Sequence, residues 1–220
     1  MNINTLLTKT NYRKGNGKQN KYIVIHYVGS TGSAEDNCKY FLNEYRGSSA
    51  HYFVGHKGEV WQCVREGDIA WHCGANKYTH PYCRNDNSIG IELCCRKSAA
   101  GIWYFEDATV QAAIELTKEL MKKYNIPEAN VIRHYDVTSK ICPAPYVNNN
   151  TKHTWNDFKK KIVEEEKPMV LDNTPDAYAK EAIDWAIKQG ILKGTEDGNY
   201  KLHSNITRQE MLVFLHRALK

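Results

Sequence analysis

The sequence lacks any long hydrophobic run. No stretch approaches the roughly 18 consecutive apolar residues that a membrane-spanning helix needs, so we expect no membrane span. Residues 1–21 contain no apolar segment of the kind found in secretory signals, so we also expect no signal peptide. There is no block of about five basic residues and no stacked-aromatic motif, and the sequence therefore predicts no binding to nucleic acid.

No strong excess of one charge sign is present either. The formal net charge is +5, from 30 lysines and arginines against 25 aspartates and glutamates. The whole excess lies before Pro168, because residues 168–220 carry seven basic and seven acidic side chains. A modest positive field on the larger part of the chain suits an anionic polymer as a partner.

The cysteines do not form the even-numbered set of a disulfide framework. There are seven, so at least one has no partner within the chain. With no secretory signal predicted, we expect synthesis in a reducing cytosol and interpret most of them as small buried hydrophobic residues.

What the chain does have is an alternation of strand and helix patterns, which predicts an α/β fold. Strands are predicted at 22–28, 51–54, 59–64, 88–95 and 130–134, and helices at 35–45, 107–124 and 154–166. In the long helix, Asp107 is the expected N-cap. The segment after His134, which contains Pro143 and Pro145, is predicted to be a loop.

A domain boundary is predicted where three glutamates are followed by Lys167 and Pro168. We expect a larger domain over residues 1–166 and a small α-helical module over residues 167–220. In the module, 175–189 has an amphipathic pattern with Gly190 at the C′ position, and Thr207 to Glu210 form a capping box for a last helix. A helical pair of this size is marginally stable alone and needs a partner surface.

Three residues far apart in the sequence could bind a metal ion. His26 lies near the end of a buried strand, and His134 precedes Cys142 in the loop that follows another strand. Two imidazoles and a thiolate are good zinc ligands, and catalytic zinc commonly keeps three protein ligands plus a water. The alternative is a buried His26 with a backbone partner and an unrelated pair in the loop.

Five motifs then indicate a known family. IVIHYVG, SAHYFVGHKGEVWQCV, AWHCGAN, NSIGIELCC and RHYDVTSKICPAP occur in this order. Together they resemble the zinc-dependent N-acetylmuramoyl-L-alanine amidases of the second amidase type, which include phage endolysins and peptidoglycan recognition proteins. The resemblance covers about residues 18–165. It implies a central mixed β-sheet flanked by helices.

The resemblance also implies roles for the matching residues. The metal ligands for Zn²⁺ are His26, His134 and Cys142. Lys140 is the lysine two positions before the ligand cysteine, where a cation could stabilise the developing oxyanion. A solvated loop charge is the alternative for Lys140.

One position departs from the family pattern. Many members have tyrosine just before the histidine of the hairpin, and here that position is Ala50. One branch of the family instead has an acid in the strand that matches Glu92, which could carry a proton from the water to the leaving amine. The alternative for Glu92 is a salt bridge to a buried arginine or lysine. The resemblance further places His51, Trp71, His72 and Asn87 around the substrate groove.

The tail has a separate resemblance. Residues 182–218, AIDWAIKQGILKGTEDGNYKLHSNITRQEMLVFLHRA, are similar to a single S-layer-homology repeat. Such repeats usually occur in threes and bind cell-wall polysaccharide, and Arg208 at a helix N-terminus would suit an anionic sugar. A single copy implies either wall binding helped by formation of a homo-oligomer, or a module that only packs on the enzyme or on another copy.

These resemblances imply an enzyme that hydrolyses peptidoglycan. We expect an endolysin or autolysin that cleaves the amide bond between N-acetylmuramic acid and L-alanine through a zinc-activated water. The expected substrate is the wall of a Gram-positive bacterium, reached after synthesis in the cytoplasm and release. One alternative is a cytosolic amidase that recycles soluble muropeptides. Another is a non-catalytic recognition module, although such modules typically lack the metal-binding cysteine that is present here as Cys142.

Overall fold

The computed structural model describes residues 1–15, 20–164, 171–195, 198–206 and 208–218. The chain separates into two compact units, Met1–Glu164 and Glu165–Lys220. Among the described residues, no helix combines the length and the apolar character needed to cross a membrane.

The first unit is built on a mixed six-stranded sheet, which confirms the predicted fold class. The six strands are β1 (Ile3–Thr5), β2 (Tyr22–Tyr27), β3 (Tyr52–Val54), β4 (Val60–Gln62), β5 (Ser88–Leu93) and β8 (Val131–Arg133). Their order in the sheet is β1-β4-β3-β5-β2-β8, and neighbouring strands run parallel except for the antiparallel pair β3 and β4. Strands β6 (Arg96–Lys97) and β7 (Trp103–Tyr104) form a separate antiparallel pair.

Apart from His26, strand β2 consists of apolar and aromatic residues because it lies inside the sheet, between β5 and β8. Parallel strands covered on both faces read as continuous hydrophobic runs. Ile23 and Ile25 face the larger core cluster, while Val24 faces a second cluster on the other side. Since side chains alternate along a strand, His26 lies on the same face as Val24.

Five α-helices are present among the described residues of the first unit. They are α1 (Ala34–Leu42), α2 (Asp107–Tyr124), α3 (His134–Thr138), α4 (Ala144–Asn148) and α5 (Trp155–Val163). Apolar residues of α2 and α5, such as Leu116 and Phe158, pack in the core cluster that contains Ile23 and Ile25. These two helices therefore cover one face of the sheet and leave the face of His26 to other segments.

Some local predictions need correction. Asp107 is the first residue of α2 and not its N-cap, which is Glu106 without a side-chain capping bond. The strand predicted over 130–134 ends at Arg133, and His134 begins α3. The proline-containing segment predicted to be a loop includes helix α4, with Pro143 as its N-cap.

The second unit contains helices α6 (Lys180–Lys188) and α7 (Arg208–Ala218). Helix α6 begins later than the predicted 175, and Gly190 follows it with φ of +67°, as a C′ glycine does. The predicted capping box begins at Thr207, which lies outside the described residues. Several large apolar side chains of this unit are exposed, including Trp185 at 57% and Leu212 at 66%.

Candidate active site

The three predicted metal ligands lie together at one edge of the sheet. His26 is the next-to-last residue of β2, and His134 comes directly after β8, which is the parallel neighbour of β2. Carboxyl ends of parallel neighbours meet at the same edge, and the loop before α4 brings Cys142 to that edge. The potential ligand atoms of the three residues all lie within 4.8 Å of one another. His26 Nδ1 and Cys142 Sγ are 3.7 Å apart.

A tight turn holds the cysteine in place. The backbone N–H of Tyr135 donates to the carbonyl of Cys142 (2.8 Å), and the N–H of Cys142 donates to the carbonyl of Lys140 (2.7 Å). Ser139 has a φ of +64°, which ends α3 and reverses the chain. The segment from His134 to Cys142 is thereby folded back on itself, so that both ligands reach one cluster.

The donor set fits a divalent metal ion. Burial, and then the neighbouring His134, hold the pKa of His26 well below its ordinary value, and burial lowers the pKa of His134 to about 4. Both imidazoles are therefore neutral near pH 7, which is the form that binds metal. Burial also raises the pKa of the Cys142 thiol, so a bound cation is what would hold the thiolate there. With His26 1%, His134 6% and Cys142 3% exposed, the cluster is enclosed.

Glu92 faces this cluster from strand β5. It is the register partner of His26, and its Oε1 lies 4.0 Å from His26 Nδ1. Its Oε2 is buried and has no hydrogen-bond partner in the part of the chain that the structure describes. Burial raises the pKa of Glu92 to about 7, against the opposing effect of His72 and Lys140.

The alternative role for Glu92, a structural salt bridge, has no support in this geometry. Among the described residues, the basic side chain within 4.0 Å of Glu92 is His26, whose imidazole is neutral near pH 7, and no lysine or arginine pairs with Glu92. A carboxyl group with a free buried oxygen inside an apolar strand is costly to fold. Such a group is a candidate for a chemical role rather than for a stabilising one.

A cavity of about 310 Å³ opens over the cluster. Its lining includes all three candidate ligands, Glu92, Lys140, Trp71 and His72. Lys140 is exposed, and its charge influences the pKa of His26, His134 and Glu92. Trp71 contacts the ring of Tyr45 edge-on at 5.9 Å between centroids, and its backbone N–H donates to Ser49 Oγ (2.9 Å).

Two of the residues predicted for the groove do not line this cavity. His51 is fully buried, with Nδ1 accepting from the N–H of Gly90 (3.0 Å) and Nε2 donating to the carbonyl of Asp68 (3.1 Å). Asn87 precedes the first residue of β5, at the other end of the strand from Glu92, and its amide donates to the carbonyl of Tyr82. We therefore leave both outside the proposed site.

The cavity also contains residues that the sequence did not indicate. Tyr27, Phe41 and Ser49 contribute to its lining. Tyr27 directly follows His26 on β2, and that adjacency was the available signal. Ala50, at the position where many relatives have tyrosine, is fully buried beside Phe53 and is not among the lining residues.

The fold and the site define an α/β protein with a buried candidate metal centre and an adjacent acid at the carboxyl edge of its sheet. The family model described as N-acetylmuramoyl-L-alanine amidase matches residues 16–145, which is more than half of the chain. The chain belongs to this family. A second model, that of the S-layer homology domain, matches residues 171–212.

Individual relatives agree with this assignment. The chain is 36% identical over 152 residues to N-acetylmuramoyl-L-alanine amidase CwlL of Bacillus licheniformis, covering 64% of this chain and 40% of the relative. It is 33% identical over 156 residues to amidase BlyA of Bacillus subtilis strain 168, covering 64% of this chain and 41% of that one. The chain thus spans about two fifths of the length of these relatives. The solved structure of PlyL, at 26% identity and a TM-score of 0.63, covers 76% of this chain and all of its own.

Proposed function

We propose that the protein hydrolyses peptidoglycan at the amide bond between N-acetylmuramic acid and L-alanine. The observation that carries the proposal is the shared cavity of the His26–His134–Cys142 cluster and the unpartnered Oε2 of Glu92. Amide hydrolysis needs an electrophile activator and a proton carrier within reach of one bond, and these two features supply both. Membership of the amidase family supports the choice of bond.

We assign Zn²⁺ to the cluster as the cofactor. Two neutral imidazoles and a cysteine form one of the three-ligand sets that leave a position open in catalytic zinc sites. When bound, the ion would lower the pKa of the attacking water and polarise the scissile carbonyl. The side chains of His26, His134 and Cys142 would hold the ion, and the enclosure of the cluster would limit competition from bulk water.

In this proposal Glu92 moves the proton. A carboxyl group with a pKa near 7 can accept a proton from the attacking water and then deliver it to the leaving amine nitrogen. Among the described residues, none forms a hydrogen bond with its Oε2 that would have to break before this oxygen accepts the proton. The burial that raises the pKa of Glu92 therefore contributes to its proposed role as proton carrier.

Lys140 contributes positive charge at the edge of the cavity. None of the ion pairs among the described residues occupies its ammonium group, and the turn at Ser139 holds its backbone next to the cluster. We assign to it the stabilisation of the oxyanion that forms on the carbonyl oxygen. Trp71, which lines the same cavity, offers an apolar surface to the substrate.

The second unit, Glu165–Lys220, is proposed to act as a separate domain that holds the enzyme at the cell wall. Similarity of residues 171–212 to the S-layer homology domain supports polysaccharide binding. The exposed apolar side chains of Trp185, Met211 and Leu212 support self-association, because small modules rarely leave such surface uncovered. We propose an endolysin or autolysin that acts on a Gram-positive wall.

A single assay separates this proposal from its rivals. Purified full-length protein is added to a suspension of Gram-positive cell walls and, separately, to soluble muropeptides, each with and without a chelator. Turbidity, the release of alanine amino groups and the amount of protein that pellets with the walls are followed. We expect clearing with release of alanine amino groups, and we expect the chelator to abolish both. Action on soluble muropeptides alone would indicate a recycling amidase, and binding without release would indicate a recognition module.

A further inference from the structure

His72 contacts the nitrogen of His26 that does not face Cys142, and it also contributes to the lining of the cavity. The two nitrogens of the His26 ring face different neighbours: Nδ1 is 3.7 Å from Cys142 Sγ, and Nε2 is 3.0 Å from His72 Nδ1. Only Nδ1 can therefore serve as the ligand atom. His72 is 8% exposed, and its ring contacts the His26 ring edge-on. The position of the His72 ring is therefore fixed by packing.

The hydrogen bonds around His72 determine where the protons lie. Ser88 Oγ donates to the carbonyl of Arg84 at 2.6 Å, so its own hydrogen is used. Ser88 Oγ and the Ser88 carbonyl lie 3.2 and 3.4 Å from His72 Nε2, and both can only accept. A neutral imidazole has one donor and one acceptor nitrogen. In its neutral form, His72 therefore carries its proton on Nε2 and offers the lone pair of Nδ1 to His26.

The acceptor at His72 Nδ1 sets the tautomer of His26 in turn. Its partner, His26 Nε2, must carry the proton of the bond between them. This leaves the lone pair of His26 Nδ1 directed at the cluster. Metal-binding histidines generally donate their other N–H to such a partner, which fixes the ring and raises its basicity.

Gly90 provides the space that this arrangement needs. A Cβ at position 90 would lie 2.5 Å from His72 Cγ and 2.8 Å from His72 Nδ1, far inside van der Waals contact. The ring thus lies directly on the backbone of strand β5. This close approach is the physical reason for a glycine between Ile89 and Ile91 in the middle of the strand.

We propose that His72 is a positioning residue that holds His26 in the tautomer with a free Nδ1, and that Gly90 is required to admit its ring. The inference rests on the metal site of the proposed function. It assigns to His72 a hydrogen bond with the candidate ligand His26, in addition to the place around the substrate groove that the sequence prediction gave it.

The test compares His72→Asn with His72→Gln in the full-length protein. The Asn amide oxygen can occupy the place of Nδ1, whereas the longer Gln amide reaches the place of Nε2. Zinc affinity is measured by chelator competition, and the protonated nitrogen of His26 is identified by ¹⁵N NMR of the histidine rings. We expect His72→Gln to lose about 10–100-fold in zinc affinity and His72→Asn to retain most of it. We also expect His26 to be protonated on Nε2 in wild type and His72→Asn, but not uniformly so in His72→Gln.

The variant Gly90→Ala tests whether Gly90 is required to admit the His72 ring, and it changes no polar group. It should lower zinc affinity, as His72→Gln does, and circular dichroism should show that the protein remains folded. Equal zinc affinity in wild type, His72→Asn and His72→Gln, with an unchanged His26 tautomer, would overturn the inference and leave the proposed function intact. Absence of zinc binding by the wild-type protein would instead overturn the proposed function.

Discussion

His26 and Glu92 are directly opposite each other on the parallel strands β2 and β5. Residues paired in this way project to the same face of the sheet, so the candidate ligand and the candidate proton carrier reach one cavity without any loop to position them. Groups on rigid strands are held more precisely than groups on loops. The pairing of strands β2 and β5 therefore fixes the relative positions of the candidate ligand and the candidate proton carrier.

Loss of the thiolate should release the metal. Cys142→Ser replaces a strong zinc ligand with a hydroxyl, which binds zinc far more weakly. We expect about one zinc per wild-type chain and a large loss in the variant, measured by elemental analysis after gel filtration. Cys95→Ser, at a cysteine outside the cavity lining, is the matched control. Full zinc content and activity in Cys142→Ser would contradict the ligand assignment.

Removal of the acid should separate rate from metal binding. Glu92→Gln keeps the shape of the side chain but cannot accept a proton, so we expect zinc to be retained and the rate to fall about 10²–10⁴-fold. The rate is measured on a soluble muramoyl-peptide. Glu44→Gln, at a carboxylate that is 71% exposed, should behave as wild type. A near-wild-type rate in Glu92→Gln would move the proton carrier to another group.

Neutralising the lysine at the edge of the cavity should affect turnover more than binding. For Lys140→Met we expect kcat to fall about 10²–10³-fold with little change in zinc content, because the lost charge acts on the oxyanion. Lys77→Met removes an exposed lysine that is absent from the cavity lining and serves as the control. An unchanged kcat in Lys140→Met would show that Lys140 is only a solvated charge.

A carboxylate remote from the site should link stability to pH. Burial alone would raise the pKa of Glu66, but bonds from Lys123, Tyr124 and Tyr52 outweigh it and hold the pKa below its ordinary value. A lowered pKa adds stability above the unfolded-state value, and this stability is lost as the pH falls through the folded-state value.

Glu66→Gln should therefore destabilise the protein at pH 7 by about 1–3 kcal/mol, with a smaller difference near pH 3. Urea unfolding at the two pH values measures this difference. Glu35→Gln, at an exposed pair with Lys39, should change stability little at either pH. A Glu66→Gln effect of equal size at both pH values would show that shape, and not charge, is what the site needs.

The catalytic unit should work without the tail. A chain ending at Glu166 contains every residue of the proposed site, so it should bind zinc and cleave a soluble muramoyl-peptide at a rate similar to that of the full chain. It should lose activity on intact walls, where a second binding site raises the effective concentration. Sedimentation velocity and wall pull-down compare the two proteins. If both are monomers and pellet equally with walls, the tail neither anchors nor associates.

Much of the fold was predictable because its signals are local. The apolar run of β2 and the amphipathic pattern of α2 follow directly from their burial. The start of α3 was missed because NVIRH has a strand pattern up to His134. The available signal was Asp136, which accepts from the backbone N–H of Arg133 (2.8 Å) and so favours a helix beginning between them.

The site was predictable only in part, since side-chain direction depends on distant segments. His51 and His72 are both buried histidines in family motifs, and nothing local distinguishes them. The ring of His51 is bound to the backbone of Gly90, while the ring of His72 lies over Gly90 and reaches His26. Which of the two faces the cluster is decided by β5, which neither motif contains.

The candidate ligands lie far apart along the chain, since His26 and Cys142 are separated by 116 positions in the sequence. An ion held by both therefore acts as a removable cross-link between the second strand and the loop after the last one. If it binds the folded chain alone, it adds about 2.7 kcal/mol of stability at a free concentration 100 times its Kd. Loss of the ion would then leave an enzyme that is inactive and also easier to unfold and digest, so metal supply would govern its lifetime as well as its rate.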